Sequence, residues 1–310
     1  MTKIVFMGTP DFSVPVLEGI IESPDYEVVG VVSQPDKLVG RHQVLTPSPI
    51  SQVALKNNIP LLRIEKIRKE YQAVLDLKPD LIVTCAYGQI IPKEILDCPR
   101  LGCINVHASL LPKLRGGAPI HHAIIDGHDK TGVTIMYMDE GMDTGDIITQ
   151  EELTISECDT VATLHDKLSL LGKDLLLKTL PLIVAHKNNR IKQDHKIATY
   201  AYTIKREDEH LDFNNDTKSV HNKVRGLNSF PGAYAILDNK IYKIYSGKIG
   251  SAKKGVPGEI INIYPDGIGV RTNDGEYIIT ELKEEGHKKL LAKEYLNAKD
   301  KNNLLGQIFK

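Results

Sequence analysis

Asn105 and His107 stand two residues apart at the end of the apolar segment GCINVH (102–107). Such a run reads as a strand, and strand alternation sends both side chains to one face. The Asn amide offers two donors, and the His ring gives or takes a proton near neutral pH. Together they suit the stabilisation of a developing oxyanion and the movement of a proton; the competing reading is a polar pair satisfied within the fold. A later strand, GVTIMYM (132–138), runs into the loop MDEGMDTGD (138–146), which carries Asp139, Asp143 and Asp146. A loop carboxylate reaching His107 would fix the tautomer and orientation of its ring. Spacing leaves all three acids open, each with the alternative of a solvated loop residue.

Other signals are weaker. MGTPDF (7–12) sits where a dinucleotide site would carry G-x-G-x-x-G, but it has one glycine, so the fingerprint is missing. No G-x-x-x-x-G-K-[ST] phosphate loop occurs. Arg115-Gly116-Gly117 reads either as a close approach to ligand or as a turn. His121 and His122 lack partners at ligand spacing, so no metal site is expected. The four cysteines form no C-x-x-C pair; Cys85 and Cys103, in apolar runs, read as buried free thiols.

The elements that must hold these residues alternate. Apolar runs at 3–7, 26–32, 81–86, 102–107 and 132–138 are separated by helix-like segments near 12–22, 48–57, 67–77 and 119–126. Uninterrupted apolar strands between helices predict a mainly parallel sheet covered on both faces, which binds ligands beyond the carboxyl ends of its strands. Leu164, Leu168, Leu171 and Leu175 recur at helical spacing within a long helix from Thr160 to about Ala185. The polar stretch HKNNRIKQDHK (186–196) then reads as the end of a first domain. Beyond it lie short strands at 233–237, 240–245, 258–264, 267–272 and 276–282, with turn signals at Asp266-Gly267 and Asp274-Gly275, suggesting a small β-barrel. The expected division is a catalytic domain over 1–189, a linker over 190–205 and a barrel domain over 206–310.

The 310 residues suit two domains, and ordinary apolar and charged fractions exclude a fibre or a disordered chain. A net charge of −1 gives no global argument for nucleic acid, and the C-terminal third is only mildly basic. No apolar run is long enough for a membrane span, and the first residues do not read as a signal peptide. A reducing cytoplasm is the expected location, with no membrane contact and no obligate protein partner.

Taken in order, MGTPDF, QPDKLVGR, TPSPI, AYGQIIP, INVHASLLPKLRGGAPI, MDEGMDTGD and SFPGAY resemble the folate-dependent formyltransferases, over nearly the whole chain. INVHASLLP with MDTGD marks that family; MGTPDF and SFPGAY point within it to the members acting on methionyl-tRNA. The resemblance implies a Rossmann-like catalytic domain joined to an OB-like barrel. It implies catalytic roles for Asn105, His107 and Asp143, the last being the acid before Thr-Gly. It assigns Ser109, Leu110, Leu111 and Pro112 to the folate site, and the 34–46 loop, with Arg41, to the tRNA acceptor stem. In that loop His42-Gln43-Val44 stand where the family often has Gly-Lys-Lys, and Leu38 replaces a proline, so the loop is less basic. The implied reaction is direct transfer of formyl from 10-formyltetrahydrofolate to the α-amine of methionine on initiator tRNA, through a tetrahedral intermediate and without a metal, for translation initiation. Competing readings are formyl transfer to a small amine such as glycinamide ribonucleotide or an amino-sugar nucleotide, a non-catalytic folate- or RNA-binding protein, and an NAD-dependent dehydrogenase.

Overall fold

The computed structural model describes residues 1–40, 42–298 and 303–310. Arg41 therefore lies outside the described residues. The chain divides into two units. The first comprises Met1–Pro119, Lys130–Thr154 and His165–Tyr202; the second comprises Ile120–Asp129, Ile155–Leu164 and Thr203–Lys310.

The strands of the first unit are β1 (Thr2–Gly8), β2 (Tyr26–Ser33), β3 (Lys37–Val39), β4 (Val44–Thr46), β5 (Leu61–Arg63), β6 (Leu81–Cys85), β7 (Cys103–His107), β8 (Lys130–Tyr137) and β9 (Ile147–Thr154). Seven form one sheet in the order β5-β2-β1-β6-β7-β8-β9, and β3 and β4 make a separate hairpin. The first five are parallel to one another, as the continuous apolar runs predict. β8 is added antiparallel to β7, and β9 antiparallel to β8. The direction of β8 matters to the site. Tyr137, at its end, pairs with Ile104 near the start of β7, and Thr134 pairs with His107. The acidic loop after β8 therefore departs from the wrong end of β7 and must run back about 10 Å, three residues of strand, to meet His107.

The helices are α1 (Val14–Glu22), α2 (Pro49–Lys56), α3 (Ile67–Glu70), α4 (Gln72–Leu75), α5 (Lys93–Leu96), α6 (Pro119–Ile125) and α7 (Val161–Val184). The single helix expected near 67–77 is two short ones that meet at Tyr71. α7 approaches the sheet closely at Gly172, where an added Cβ would lie 3.0 Å from Val106 Cγ1. Val106 separates Asn105 from His107 on β7, so this packing presses on the strand that carries the polar pair.

Residues within the linker expected over 190–205 pair with the first unit. Ile191 pairs with Ile147, Arg115 with Tyr200, and the amide of Ala118 donates to Ala201 O. Residues 190–202 thus return along the first unit as a strap.

The second unit holds β10 (Ala233–Leu237), β11 (Lys240–Gly250), β12 (Ile260–Tyr264), β13 (Gly267–Arg271), β14 (Glu276–Glu284), β15 (Leu290–Leu291), α8 (Thr217–Gly226) and α9 (Ala292–Asn297). The antiparallel sheet runs β10-β11-β14-β13-β12, with β15 on β14. Its path is open between β10 and β12. The C-terminal residues span the gap: Phe309 and Gly258 pair through Phe309 N–H, and Ile236 and Lys310 exchange both backbone hydrogen bonds. Leu211, Val224, Tyr242, Ile244, Tyr277 and Ile279 fill the interior. The sheet is not closed into a barrel, but its antiparallel order is consistent with the barrel-like expectation. Among the described residues no helix is long and apolar enough to cross a membrane.

Gly172→Val should overpack the α7–β7 contact and cost about 1–3 kcal/mol. Urea unfolding should show a lower midpoint at unchanged slope; an unaltered midpoint would mean that the helix is not pressed against Val106.

Candidate active site

The parallel register of β6 and β7 places Thr84 opposite Asn105. Its hydroxyl donates to Asn105 Oδ1 at 2.8 Å. In that orientation Nδ2 is the free end of the amide; among the described residues Nδ2 has no acceptor. Asn105 is half-buried, and His107 is buried on the same face of the strand. The shared face expected from alternation is present.

His107 Nε2 lies 3.1 Å from Leu114 O, and its Nδ1 lies 3.7 Å from Asp143 Oδ1. Both ring nitrogens therefore face oxygen atoms, Nε2 within hydrogen-bond reach and Nδ1 beyond it. The other oxygen of Asp143 accepts from the Gly116 amide at 2.8 Å. Asp139 instead closes its own loop, accepting from Gly141 N and Thr144 Oγ1, and Asp146 pairs with Arg190 at 3.1 Å. Of the three acids left open by spacing, Asp143 is the one brought to His107. Gly116 is a tight position: its φ is +118°, and a Cβ there would lie 2.7 Å from Ala201 O.

The segment Ser109–Pro112 forms the turn after β7. Ser109 is fully buried, and its hydroxyl donates to Lys113 O at 2.7 Å. Thr134 donates to Ser109 O and accepts from Leu111 N, and Gln150 donates to Leu111 O. The turn is thereby tied to β8 and β9. A cavity of about 190 Å³ opens on the same unit, lined by Gln89, Ile90, Ile91, Met136, Met138 and the Asp139–Asp143 loop. Ser109, Leu110, Leu111 and Pro112 do not line it. Leu111 packs on Met136 from behind, so the segment meets the cavity through that methionine. A larger hollow beside Tyr26 and Leu177 contains none of these residues.

Residues missed in the sequence include Thr84, a lone polar side chain in an apolar strand, which is itself a usable signal. Leu114 acts through its carbonyl, which no residue type announces. Among the described residues no group of three or more His, Cys, Asp or Glu side chains is placed to hold a metal. The hairpin flanking Arg41 exposes Leu38, Val39, Val44 and Leu45.

This arrangement is that of an α/β protein whose candidate site gathers around the strands at the sheet's switch point, between β1 and β6, and their neighbour β7. Residues 2–180 match the formyl transferase family and residues 203–300 match the formyl transferase C-terminal domain. The chain belongs to the formyl transferase family. It is 54% identical over 300 residues to a protein named methionyl-tRNA formyltransferase from a Geobacillus species, covering 96% of this chain and 94% of that one. Its fold is similar to an N-formyltransferase from Helicobacter canadensis, solved with folinic acid and dTDP-3-aminofucose, with a TM-score of 0.66 and 21% identity, covering 94% of this chain and 100% of that one. It is also similar to HypX from Aquifex aeolicus, solved with tetrahydrofolic acid, with a TM-score of 0.63 and 19% identity, covering 94% of this chain; the chain spans 46% of HypX.

Burial pushes the Cys85 thiol up to about 12, and Cys103 is raised as well, while Cys98 and Cys158 are exposed. Both buried thiols stay protonated far above neutral pH and are poor nucleophiles. A chromogenic disulfide reagent at about pH 8 should modify Cys98 and Cys158 in the native protein, and all four only after denaturation. Rapid native modification of Cys85 or Cys103 would contradict their placement.

Proposed function

We propose that this protein transfers the formyl group of 10-formyltetrahydrofolate to the α-amine of methionine carried by initiator tRNA, in the cytoplasm and in support of translation initiation. The observation that carries the reading is the Asn105–His107–Asp143 cluster beside a cavity bounded by the same loop. The likeness over both domains to proteins named for this activity supports the choice of acceptor.

The cavity suits the ring end of a reduced folate. Ile90, Ile91, Met136 and Met138 offer apolar and thioether surface to the faces of a flat heterocycle, and Gln89 with the Asp139–Asp143 backbone offers polar groups to its edge. Ser109–Pro112 serve this site from behind, by holding Leu111 against Met136. The donor supplies an activated formyl carbon bonded to a nitrogen that can leave.

In the reaction the amine nitrogen bonds to the formyl carbon, the bond from that carbon to the folate nitrogen breaks, and one proton passes from amine to folate nitrogen. Asn105 Nδ2 donates to the formyl oxygen as charge gathers there. His107, held by Asp143 at Nδ1, offers its Nε2 proton to the same oxygen, in exchange for the Leu114 carbonyl. One such donor is typically worth about 2.7–4 kcal/mol. The ring also stands where the amine's proton must pass. Arg41 and the apolar hairpin around it contribute to gripping the acceptor stem.

Asn105→Ala should lower kcat by about 10²–10³-fold. Asp143→Asn should cost more than Asp139→Asn or Asp146→Asn, because only Asp143 faces His107. Equal losses in the three amide variants would remove Asp143 from its role.

Purified protein offered the formyl donor with charged initiator tRNA, elongator methionyl-tRNA, glycinamide ribonucleotide and an amino-sugar nucleotide should formylate initiator tRNA with the highest kcat/KM. Arg41→Ala should lower that value while leaving the folate dissociation constant unchanged, because the loop is assigned to phosphate contacts and not to the donor. A small amine as the best acceptor would overturn the reading.

A further inference from the structure

The strap of residues 190–202 places one side chain directly behind the candidate acid. Gln193 is buried, and its Nε2 donates to Asp143 O at 2.9 Å and to Gly145 O at 2.7 Å. These two contacts use both amide protons on the backbone of the acidic loop. The Gln193 oxygen is used as well, accepting from Arg115 Nε at 3.1 Å and from Arg115 Nη2 at 2.7 Å. Arg115 is 1% exposed, and its Nη1 lies 3.2 Å from His195 Nδ1. An arginine can only donate, so that histidine nitrogen is the acceptor.

Each link has a defined direction. Arg115 can only donate, so it holds the oxygen end of the Gln193 amide and turns the NH₂ end toward the loop. Asp143 has a φ of +53°, a conformation that an aspartate adopts less readily than a glycine. Holding the carbonyls of Asp143 and Gly145 fixes the peptide planes on either side of the turn. The carboxylate then leaves the backbone toward His107 and Gly116. The same strap grips the facing loop, with Leu114 N donating to Thr199 Oγ1 and Arg115 N to Thr199 O.

We propose that Gln193 is a positioning residue for the formyl transfer, acting through Asp143, with Arg115 as the group that orients its amide. This rests on the reading of Asp143 as a catalytic group given above. Gln193 touches neither substrate. Its work is to hold the acidic loop so that Asp143 meets His107 before the substrates arrive.

Gln193→Glu separates this role from a purely structural one. A glutamate keeps the length of the side chain and places a carboxylate against the Arg115 guanidinium, a stronger pairing than the amide. It loses both donors to Asp143 and Gly145 and sets carboxylate oxygens against their carbonyls. If Gln193 only neutralised the burial of Arg115, this variant would keep its activity. The proposal expects it to fold with a Tm near the parent's, to keep the folate dissociation constant, and to lose about 10- to 100-fold in kcat, the loss typical of a misplaced catalytic group.

The closing experiment is a double-mutant cycle of Q193E and D143N, read as single-turnover formylation of charged initiator tRNA. Because Gln193 acts through Asp143, Q193E in the D143N background should change the rate by less than about twofold. Q193E with parental kcat, or losses that multiply in the double variant, would overturn the proposal. If D143N alone keeps parental kcat, the catalytic reading of Asp143 fails first, and the proposal falls with it. Should Q193E not fold, Gln193→Asn enters the same cycle. It keeps the amide but is one methylene too short to reach both carbonyls, and the same two outcomes decide.

Discussion

The carboxylate of Asp143 is the contact on which the rest of the site depends. Its two oxygens look in different directions, one to the Gly116 amide at 2.8 Å and one to His107 Nδ1 at 3.7 Å. It thereby joins the end of β7, the 114–116 turn and the loop after β8. The first two follow one another along the chain and the third leaves the neighbouring strand, and none fixes the other two by itself. A hydrogen bond to an ionised acceptor is shorter and stronger than a neutral one, so the Gly116 contact is the firmer half of the bridge. The His107 half is longer than a hydrogen bond and acts through charge and orientation.

Holding that bridge requires backbone that would not form unaided. Leu114 has φ +58° and Asp143 φ +53°, and Gly116 lies at +118°. For a leucine the left-handed conformation costs about 1–2 kcal/mol, and it persists only where the surroundings over-determine it. Here they do. Leu114 N donates to Thr199, Leu114 O faces His107, and Arg115 exchanges backbone hydrogen bonds with residues 199 and 201. The same φ that strains Leu114 turns its carbonyl onto the imidazole, so the strain and the orientation of the ring have one cause.

The sheet and its polar pair were legible because they follow from period-two alternation. Asn105 and His107 share a face for the reason that any strand residues two apart do, and the continuous apolar runs identified the parallel strands. The direction of β8 was not legible, since an apolar run reads the same way whichever way it pairs. β9, which no apolar run in the sequence announced, pairs with the reversed β8 as an edge strand. The strap was hidden for a related reason. HKNNRIKQDHK has the composition of a linker, and the contacts that Gln193 donates are to backbone carbonyls, which carry no residue identity. Within the acidic loop, spacing could not choose among Asp139, Asp143 and Asp146, because the choice depends on where the loop turns after running back along β7.

Arg115 shows what that concealed layer costs. An arginine 1% exposed, whose side-chain partners are a glutamine oxygen and a histidine nitrogen, has no carboxylate among the described residues to offset its desolvation. Removing a charge from water without a counter-charge costs several kcal/mol, and an apolar residue of similar volume would pack there without that penalty. What an apolar residue cannot do is hold an amide oxygen with two fixed donors, and what a lysine cannot do is hold it in a plane. The planar fork decides which end of the Gln193 amide faces the loop, and that end must be the donor for Asp143 and Gly145. The unpaired charge is therefore tied to the direction of a hydrogen-bond chain that ends on the candidate acid. A carboxylate beside Arg115 would satisfy the ion and, by taking its donors, leave the amide free to turn.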